Sequence, residues 1–236
     1  MPINDQVKFT WLGHGTWRVQ SARGKELLLD AWVHNNPVAP EELKQIHHLD
    51  VLAITHGHFD HVWDAVSIAQ SLRPQIVCMV ELAHWLEAKG VEGAGALAFN
   101  KGGTVEAAGI KFTMVHAEHS CGIQDGDHII YGGEPCGYVI EFENGFKIYF
   151  AGDTDVFGDM RLIGEMHRPD AAFLPIGGHY TMDPERAARA VELLGVKTVV
   201  PSHFGTFPLL SGSPSQLQEL VGQGVQVLDI KPGDSV

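Results

Sequence analysis

One short segment of this sequence concentrates side chains that can bind metal ions. It reads Thr55-His56-Gly57-His58-Phe59-Asp60-His61, which places three imidazoles and one carboxylate within six residues. Nitrogen and oxygen donors of this kind suit Zn²⁺ and related divalent ions. Gly57 would let the backbone turn sharply, so that His56 and His58 converge on one ion. Asp60 and His61 can then face a second ion or the other side of the first, and a polar loop with incidental histidines is the less favoured interpretation.

Three further candidate ligands lie far along the chain, each just beyond a predicted strand. They are His119, Asp153 and His203. Strand ends at one edge of a sheet sandwich can bring such loops together, and loops held by rigid strands commonly carry functional side chains. Ordinary alternatives exist, because Asp153 follows a glycine as turn residues often do, and His203 could be a loop histidine bonded to backbone. His116 competes with His119, which we prefer because His116 can still belong to the strand.

Two histidines beside glycines, His14 and His179, form a second group of candidates. His14 follows a predicted strand, and His179 follows a pair of glycines. Both loops could line a pocket and contact the substrate or an intermediate. For each, a loop histidine that bonds only to backbone is an equal alternative.

The composition limits the classes of function. The chain of 236 residues carries 29 acidic and 16 basic side chains, which gives a formal net charge of −13. A nucleic-acid binder needs Lys and Arg to displace phosphate counterions, and no basic run is present, so nucleic acid is an unfavourable partner. We expect a small-molecule substrate, and the sequence leaves open a homo-oligomer. Histidine occurs 14 times, a high count for a residue that binds metals and acts as a general base.

Three observations favour a cytoplasmic location. No apolar run approaches the ~18 residues of a membrane span, so no membrane association is expected. The N-terminus, Met1-Pro2-Ile3-Asn4-Asp5-Gln6, lacks the basic start and apolar stretch of a signal peptide. The three cysteines, Cys78, Cys121 and Cys136, are widely spaced and odd in number, which fits a reducing compartment better than a disulfide framework.

Short apolar runs between Gly, Asn and Pro predict strands, and longer amphipathic stretches predict helices. The predicted strands are Lys8–Leu12, Thr16–Gln20, Glu26–Leu29, Val51–Thr55, Gln75–Cys78, Ile110–His116, Gly137–Glu143, Lys147–Ala151, Ala171–Pro175, Thr198–Val200 and Val225–Asp229. The predicted helices are Pro40–His48, Val62–Leu72, Glu81–Lys89, Pro184–Leu194 and Pro214–Gly222. Between them, the polar, Gly-rich segment Ser120–Cys136 is predicted to be a long loop, either a flap over the site or a mobile connection.

The order of these elements indicates the fold class. Early strands lie close together as hairpins, whereas later strands are separated by helices. This order favours two packed sheets with helices outside over one parallel sheet. With no linker, low-complexity stretch or repeat visible, residues 1–236 are expected to form a single domain.

Taken in order, these residues resemble the metallo-β-lactamase superfamily. Its HxHxDH motif and later markers are matched by His56, His58, Asp60, His61, His119, Asp153 and His203. Three stretches look like one branch of small metal-dependent hydrolases, similar to the ascorbate-phosphate lactonases: Ala151–Thr154, Leu174–Met182 and Pro201–Thr206. The resemblance covers nearly the whole chain. It implies an α/β fold of four layers, an αββα sandwich, with metals at one edge between the sheets.

The resemblance also implies one or two divalent metal ions and assigns their ligands. The first ion would be held by His56, His58 and His119, the second by Asp60, His61 and His203, with Asp153 bridging. Zinc is the first expectation, but family members also use manganese or iron, and a set of nitrogen and oxygen donors is compatible with each. Cys121 matches no ligand position, and we interpret it as structural or as lying behind the ligands.

The implied function is hydrolysis of an ester, lactone, amide or phosphoester bond in a small molecule. A metal-bound water has a pKa near ~7, against about 15.7 in bulk water, so hydroxide is available at neutral pH. Asp60 would bind metal and orient the nucleophile or move its proton. A nuclease of the same superfamily would need a basic groove, and a glutathione-linked thioester hydrolase would need a cationic patch; we locate neither. A non-catalytic metal-binding module would have a coordinatively closed site.

Overall fold

Two β-sheets that face each other form the centre of the computed structural model, which describes residues 3–236. The first sheet contains, in spatial order, β1 (Lys8–Gly13), β2 (Thr16–Gln20), β3 (Glu26–Leu29), β4 (Val51–Ala53) and β5 (Gln75–Val77). Strands β1, β2 and β3 are antiparallel neighbours, whereas β4 and β5 run parallel to β3. The parallel strands therefore end at the same edge of the sheet.

The second sheet combines an antiparallel half and a parallel half. The remaining strands of the described chain are β6 (Thr104–Ala107), β7 (Ile110–His116), β8 (Gly122–Asp125), β9 (His128–Tyr131), β10 (Cys136–Glu141), β11 (Lys147–Phe150), β12 (Ala171–Pro175), β13 (Thr198–Ser202) and β14 (Gln226–Val227). Seven of them form the sheet in the order β14-β13-β12-β11-β10-β7-β6, and β8 and β9 pair as a separate hairpin. From β11 to β14 the pairing is parallel, so these strands also end together.

Helices cover the outer faces of the sheets. They are α1 (Phe59–Val62), α2 (Ala65–Leu72), α3 (Val80–Ala88), α4 (Met160–His167), α5 (Pro184–Leu194) and α6 (Pro214–Leu220). The first three follow strands of the first sheet, and the last three alternate with the parallel strands of the second. Within residues 3–236, none of the helices has the length and apolar character needed to cross a bilayer.

Three apolar clusters hold the layers together, one between the sheets and one beneath the helices on each side. Between the sheets, the Trp17 indole meets the Phe173 ring edge-on, with ring centroids 4.9 Å apart. Strand β3 shows how the sequence specifies these layers, because Leu27 and Leu29 face the opposite sheet while Leu28 faces the helices. A strand covered on both faces is apolar throughout. The predicted αββα sandwich is confirmed.

The strongest local signals are also confirmed. Every predicted strand exists, with ends that differ by at most two residues from those observed. Helix α5 has the predicted bounds because the Asp183 carboxylate accepts a hydrogen bond from the Arg186 backbone N–H at 2.9 Å. Pro184 occupies the first turn, and Gly195 ends the helix with φ +67.

Two helix predictions were wrong in their extent. The predicted helix Pro40–His48 is only a short 3-10 turn, Glu41–Leu43, in which no residue is buried. Without an apolar face to bury, these residues gain too little from packing to continue the helix. The predicted helix Val62–Leu72 is divided between α1 and α2, because the Asp64 carboxylate turns inward and accepts the Val33 N–H at 2.7 Å.

Strand β6, helix α4 and the β8–β9 hairpin were absent from the sequence prediction. Strand β6 is short and half exposed. Helix α4 contains Gly164, which weakens the helical signal but is required by packing, since a Cβ there would lie 2.3 Å from the Leu194 carbonyl oxygen. The predicted loop Ser120–Cys136 contains the hairpin of β8 and β9, in which Ile123 is buried while Ile129 on the partner strand is 81% exposed.

Candidate metal centre

The connection between β4 and α1 carries the first four candidate ligands. His56 lies in the connection, and His58 is the N-cap residue that directly precedes α1. Asp60 and His61 lie on the single turn of α1, and both are buried. A strand followed by a very short helix therefore turns all four side chains toward one sheet edge, as the close spacing in the sequence predicts.

Gly57 is required for close packing and not for the sharp turn that the sequence suggests. Its φ is not positive, so an L-residue could adopt its backbone conformation. A Cβ at this position, however, would lie 2.4 Å from Ile123 Cγ1 in β8. The Gly57 N–H also donates to the Cys121 sulfur at 3.3 Å. The ligand-bearing loop thus packs directly on the β8–β9 hairpin.

One group of four candidate ligands lies beside this hairpin. His56, His58, His119 and Asp153 each offer one ligand atom, and these atoms all lie within 4.8 Å of one another. His58 Nδ1 lies 3.0 Å from His56 Nε2 and 3.2 Å from His119 Nε2. The preference for His119 over His116 agrees with this geometry, because His116 instead faces Lys101 and Glu118.

A second group lies on the other side of Asp153. His14, Asp60, His61 and His203 also place one ligand atom each within 4.8 Å of the others. Asp60 Oδ2 lies 3.5 Å from His203 Nε2 and 3.8 Å from His61 Nε2. Three of these four residues are the ligands that the resemblance assigns to a second ion.

Asp153 stands between the two groups. Its carboxylate lies 3.0 Å from His203 Nε2 and 3.4 Å from His61 Nε2 on one side. On the other side it lies 3.6 Å from His119 Nε2 and 3.9 Å from His56 Nε2. The structure therefore brings together all seven residues that the sequence analysis proposes as ligands, with Asp153 in the position of a bridge.

Unpaired buried nitrogens show that the donor set fits metal ions. The Nε2 atoms of His61 and His203 are buried and make no hydrogen bond to any group within residues 3–236. Leaving a buried polar atom without a partner costs about 1–3 kcal/mol. A divalent cation between these nitrogens and the Asp153 carboxylate would satisfy them, and imidazole nitrogens and carboxylate oxygens are the donors that Zn²⁺, Mn²⁺ and iron accept.

Asp30 holds His61 in the orientation that this site requires, although the sequence analysis did not identify it. This fully buried carboxylate accepts a hydrogen bond from His61 Nδ1 at 2.7 Å and two from Thr55, through its N–H at 2.8 Å and its hydroxyl at 2.9 Å. The Thr55 hydroxyl also lies 3.0 Å from His56 Nδ1. Both histidines thus present Nε2 to the site. An acidic residue directly after the buried leucines of β3 was the available signal.

His14 occupies a position different from the substrate contact that the sequence suggested. It is fully buried and is not among the residues that line the cavity at the site. Its Nε2 lies 2.8 Å from Asp60 Oδ2, and its Nδ1 lies 2.9 Å from the Thr206 hydroxyl. Its φ of 55 is in the left-handed region, where its carbonyl accepts the His203 N–H at 3.0 Å. His14 therefore contacts Asp60 from a buried position, and a role in substrate binding stays a prediction.

His179 lies at the surface, outside both groups of candidate ligands. Its ring packs edge-on against Tyr180, with centroids 4.4 Å apart. Tyr180 lines the cavity at the site, whereas His179 does not. A role for His179 in substrate binding stays a prediction, and the structure places it one residue away from such a contact.

Electrostatics keep an ionised carboxylate among the imidazoles. Burial by itself raises the pKa of Asp153, but the neighbouring His203 and His61 outweigh it and hold that pKa well below its usual range. Burial and the nearby His61 lower the pKa of His56 well below its usual range. Burial also lowers the pKa of His203, but Asp153 outweighs it and raises that pKa to about 9. An arriving cation would thus meet an anion and displace a proton from His203.

A cavity of about 880 Å³ opens onto these residues. Its floor includes five of the candidate ligands: His58, Asp60, His119, Asp153 and His203. Its sides come from the β8–β9 hairpin and from the loop that follows β13. The candidate metal centre is therefore accessible to a small molecule, and its volume is within the range of ligand pockets, about 300–1,000 Å³.

Known proteins are similar to this chain over a range that includes the candidate metal centre. Residues 25–204 match the family model described as the beta-lactamase superfamily domain, a range that contains all seven candidate ligands. A UPF0173 metal-dependent hydrolase of Koribacter versatilis is 52% identical over 229 residues, 97% of each chain. A second, from Roseiflexus castenholzii, is 48% identical over 240 residues, which cover 99% of this chain and 98% of the relative.

A solved structure agrees with these relatives. The metallo hydrolase Igni18 from the archaeon Ignicoccus hospitalis is 34% identical, with a TM-score of 0.81 over 98% of this chain and 97% of that one. Sequence and fold thus agree along almost the entire length. The chain belongs to the UPF0173 metal-dependent hydrolases of the metallo-β-lactamase superfamily.

Proposed function

We propose that this hydrolase works with two divalent ions held at the candidate metal centre. The first would be bound by His56, His58 and His119, the second by Asp60, His61 and His203, and both by Asp153. The observation that carries the proposal is the position of the Asp153 carboxylate, 3.0–3.9 Å from four imidazole nitrogens that belong to two separate groups. Zinc is the first candidate, with manganese and iron as alternatives.

The bound ions would supply Lewis acidity, which makes water a nucleophile near neutral pH and polarises the bond under attack. The protein's own contribution centres on Asp60. Burial raises the pKa of this carboxyl, but His61 and the hydrogen bond from His14 outweigh it and hold the pKa well below its usual range. Asp60 also reaches the cavity. It therefore stays ionised and can orient the attacking water while His14 fixes the carboxylate in place.

The proposed substrate is a small molecule with an ester, lactone, amide or phosphoester bond. The cavity exposes candidate ligands from both groups, which a closed structural metal site would not do. A nuclease is disfavoured, because no Lys or Arg within residues 3–236 lines the cavity and the net charge is −13. The open floor of the cavity therefore favours catalysis over metal storage or a purely structural role.

Metal analysis together with a substrate panel tests this proposal. Protein purified without chelators should contain about two ions per chain and hydrolyse at least one of p-nitrophenyl acetate, γ-butyrolactone, a p-nitroanilide and bis(p-nitrophenyl) phosphate. His56→Ala and His203→Ala should lose metal and activity together. His84→Ala is the matched control, because this histidine lies exposed on α3. Full activity in metal-free protein, or metal-loaded protein inert on the entire panel, would contradict the proposal.

A further inference from the structure

We propose that the substrate is uncharged and carries an apolar group, which binds in the cavity above the metal centre. This inference rests on the proposed function, because it names the substrate class of the same site. It excludes small molecules that carry a phosphate or carboxylate group away from the reacting bond. The argument depends on the residues that form the sides of the cavity and on their charges.

The sides of the cavity are mainly apolar and come from separate parts of the chain. Ile129 of the hairpin stands on one side, and Phe207, Pro208 and Leu209 of the loop after β13 stand on another. Phe59, next to the ligand His58, completes this surface. Leu209 is 54% exposed, and water therefore covers apolar surface directly beside the reacting centre. A substrate group that displaces this water would be bound by the hydrophobic effect.

The aromatic part of this surface is fixed in position. Trp32, which is buried, packs against Phe59 and Phe207, with ring centroids 5.6 Å and 6.0 Å away. Phe207 also meets the His14 ring at 5.6 Å. The apolar side of the cavity thus packs against His14, which also contacts Asp60. A bound apolar group would therefore lie at a fixed place relative to the metal ligands.

The hairpin side is also anchored to the metal centre. Ile123 of β8 is buried against Gly57, the residue that separates the ligands His56 and His58 in the sequence. Gln124 and Ile129 are cross-strand partners and both line the cavity, so they project on the opposite face from Ile123. The exposed Ile129 therefore belongs to a hairpin that packs directly on the loop carrying the metal ligands.

The charges at the cavity disfavour an anionic substrate group away from the reacting bond. Its lining contains no Lys or Arg among the described residues, and its carboxylates, Asp60 and Asp153, belong to the metal centre. Apart from the candidate metal ligands, the polar side chains of the lining are Ser120, Gln124 and Tyr180, and all three are neutral hydrogen-bonding groups. A phosphate or carboxylate bound against this part of the cavity, away from the metal centre, would lose hydration without gaining a cationic partner. A neutral carbonyl compound would not carry this cost.

A matched ester series tests the inference. For p-nitrophenyl acetate, butyrate, hexanoate and octanoate, kcat/KM should rise by up to about fourfold for each methylene group that becomes buried. The mono-p-nitrophenyl ester of adipic acid places a carboxylate at the end of a six-carbon chain. Its kcat/KM should be at least about tenfold lower than that of the hexanoate. Flat chain-length dependence, or kcat/KM for the adipate ester equal to that of the hexanoate, would overturn the inference while leaving the proposed function intact.

Charge variants at the rim give the inference a second test. Ile129→Lys and Leu209→Lys place a cation beside the cavity at exposed positions. Each should lower the ratio of kcat/KM for the hexanoate to kcat/KM for the adipate at least about threefold. Met166→Lys is the matched control, because Met166 is 74% exposed on α4 and does not line the cavity. An equal change in the control, or no change in the two rim variants, would count against the assigned binding surface.

A binding measurement separates failure of this inference from failure of the proposed function. If the metal-loaded protein hydrolyses no ester, the neutral fluorophore N-phenyl-1-naphthylamine can report the cavity directly. Saturable binding that 1-octanol displaces, and that Ile129→Lys weakens but Met166→Lys does not, would support an apolar ligand although the hydrolytic role had failed. No saturable binding of this probe would overturn the inference.

Discussion

Replacing Asp30 by asparagine should weaken metal binding without changing the volume of the core. Asparagine keeps an oxygen that can accept the Thr55 N–H, which Asp30 now accepts at 2.8 Å. Its NH₂ group, however, would oppose the His61 Nδ1–H that Asp30 accepts at 2.7 Å. To avoid that contact, the imidazole must move its proton to Nε2. This nitrogen is the one that lies 3.4 Å from Asp153 and would bind the metal.

The expected loss is about 10–100-fold in affinity for the ion bound by His61, the range seen when a hydrogen-bond partner of a metal ligand is removed. This corresponds to about 1.4–2.7 kcal/mol. We expect the upper half of that range, because Asp30 is fully buried and no solvent molecule can replace its carboxylate. Competition with a chromophoric chelator for Zn²⁺ would measure the affinities of the two ions separately.

Asp50→Asn is the matched control for this experiment. Asp50 lies at the opposite end of the same pair of strands, where it accepts hydrogen bonds from the Glu26 N–H and the Lys25 ammonium, both at 2.9 Å. This variant should bind metal like the wild type. If Asp30→Asn kept wild-type affinity for both ions, or if the control lost as much affinity, the assigned role of Asp30 would be refuted.

Three further predictions concern stability. Gly57→Ala should lower the free energy of unfolding, measured with urea, by about 1–3 kcal/mol, because the added Cβ would overlap Ile123. The double variant with Ile123→Ala should lose less free energy of unfolding than the sum of the two single variants. Burial, and after it the nearby His203, lower the pKa of His14 to about 4. The contribution of neutral His14 to the free energy of unfolding is thus complete above pH 6.5 and falls by about 3 kcal/mol in total as the pH falls toward 4. In metal-free protein, His14→Gln should make the free energy of unfolding depend less steeply on pH over this range, and an unchanged pH dependence would contradict the prediction. Restoring Zn²⁺ to chelated protein at one hundred times its dissociation constant should add about 2.7 kcal/mol and raise Tm, whereas His203→Ala should respond less.

The fold could be predicted from the sequence because its signals are local and repeated. Leu27-Leu28-Leu29 is a short apolar run between polar residues, and such runs become strands covered on both faces. The Asp183 cap and Gly195 mark both ends of α5 without any knowledge of its neighbours. Elements whose local signal is weak were missed, such as α4, in which Gly164 is explained only by its contact with Leu194.

Individual side-chain roles were harder to predict, because they depend on contacts between distant residues. The structure brings together the seven candidate ligands that the sequence spacing indicated, and metal binding by them stays a prediction. By contrast, Asp30 lies 31 positions before His61, and nothing local connects them. The sequence predicts either a pocket residue or a loop histidine bonded to backbone at His14, and neither interpretation anticipates its contact with Asp60, 46 positions away. The hairpin strand around Ile129 is apolar and exposed, which a polar-loop interpretation cannot anticipate.

Anomalous X-ray scattering from metal-loaded crystals would test the central claim most directly. Two peaks per chain are expected, about 3.5–4 Å apart as in dinuclear hydrolases. One should lie among His56, His58 and His119, the other among Asp60, His61 and His203, with Asp153 bound to both. A single peak, or peaks located away from Asp153, would contradict a two-ion centre.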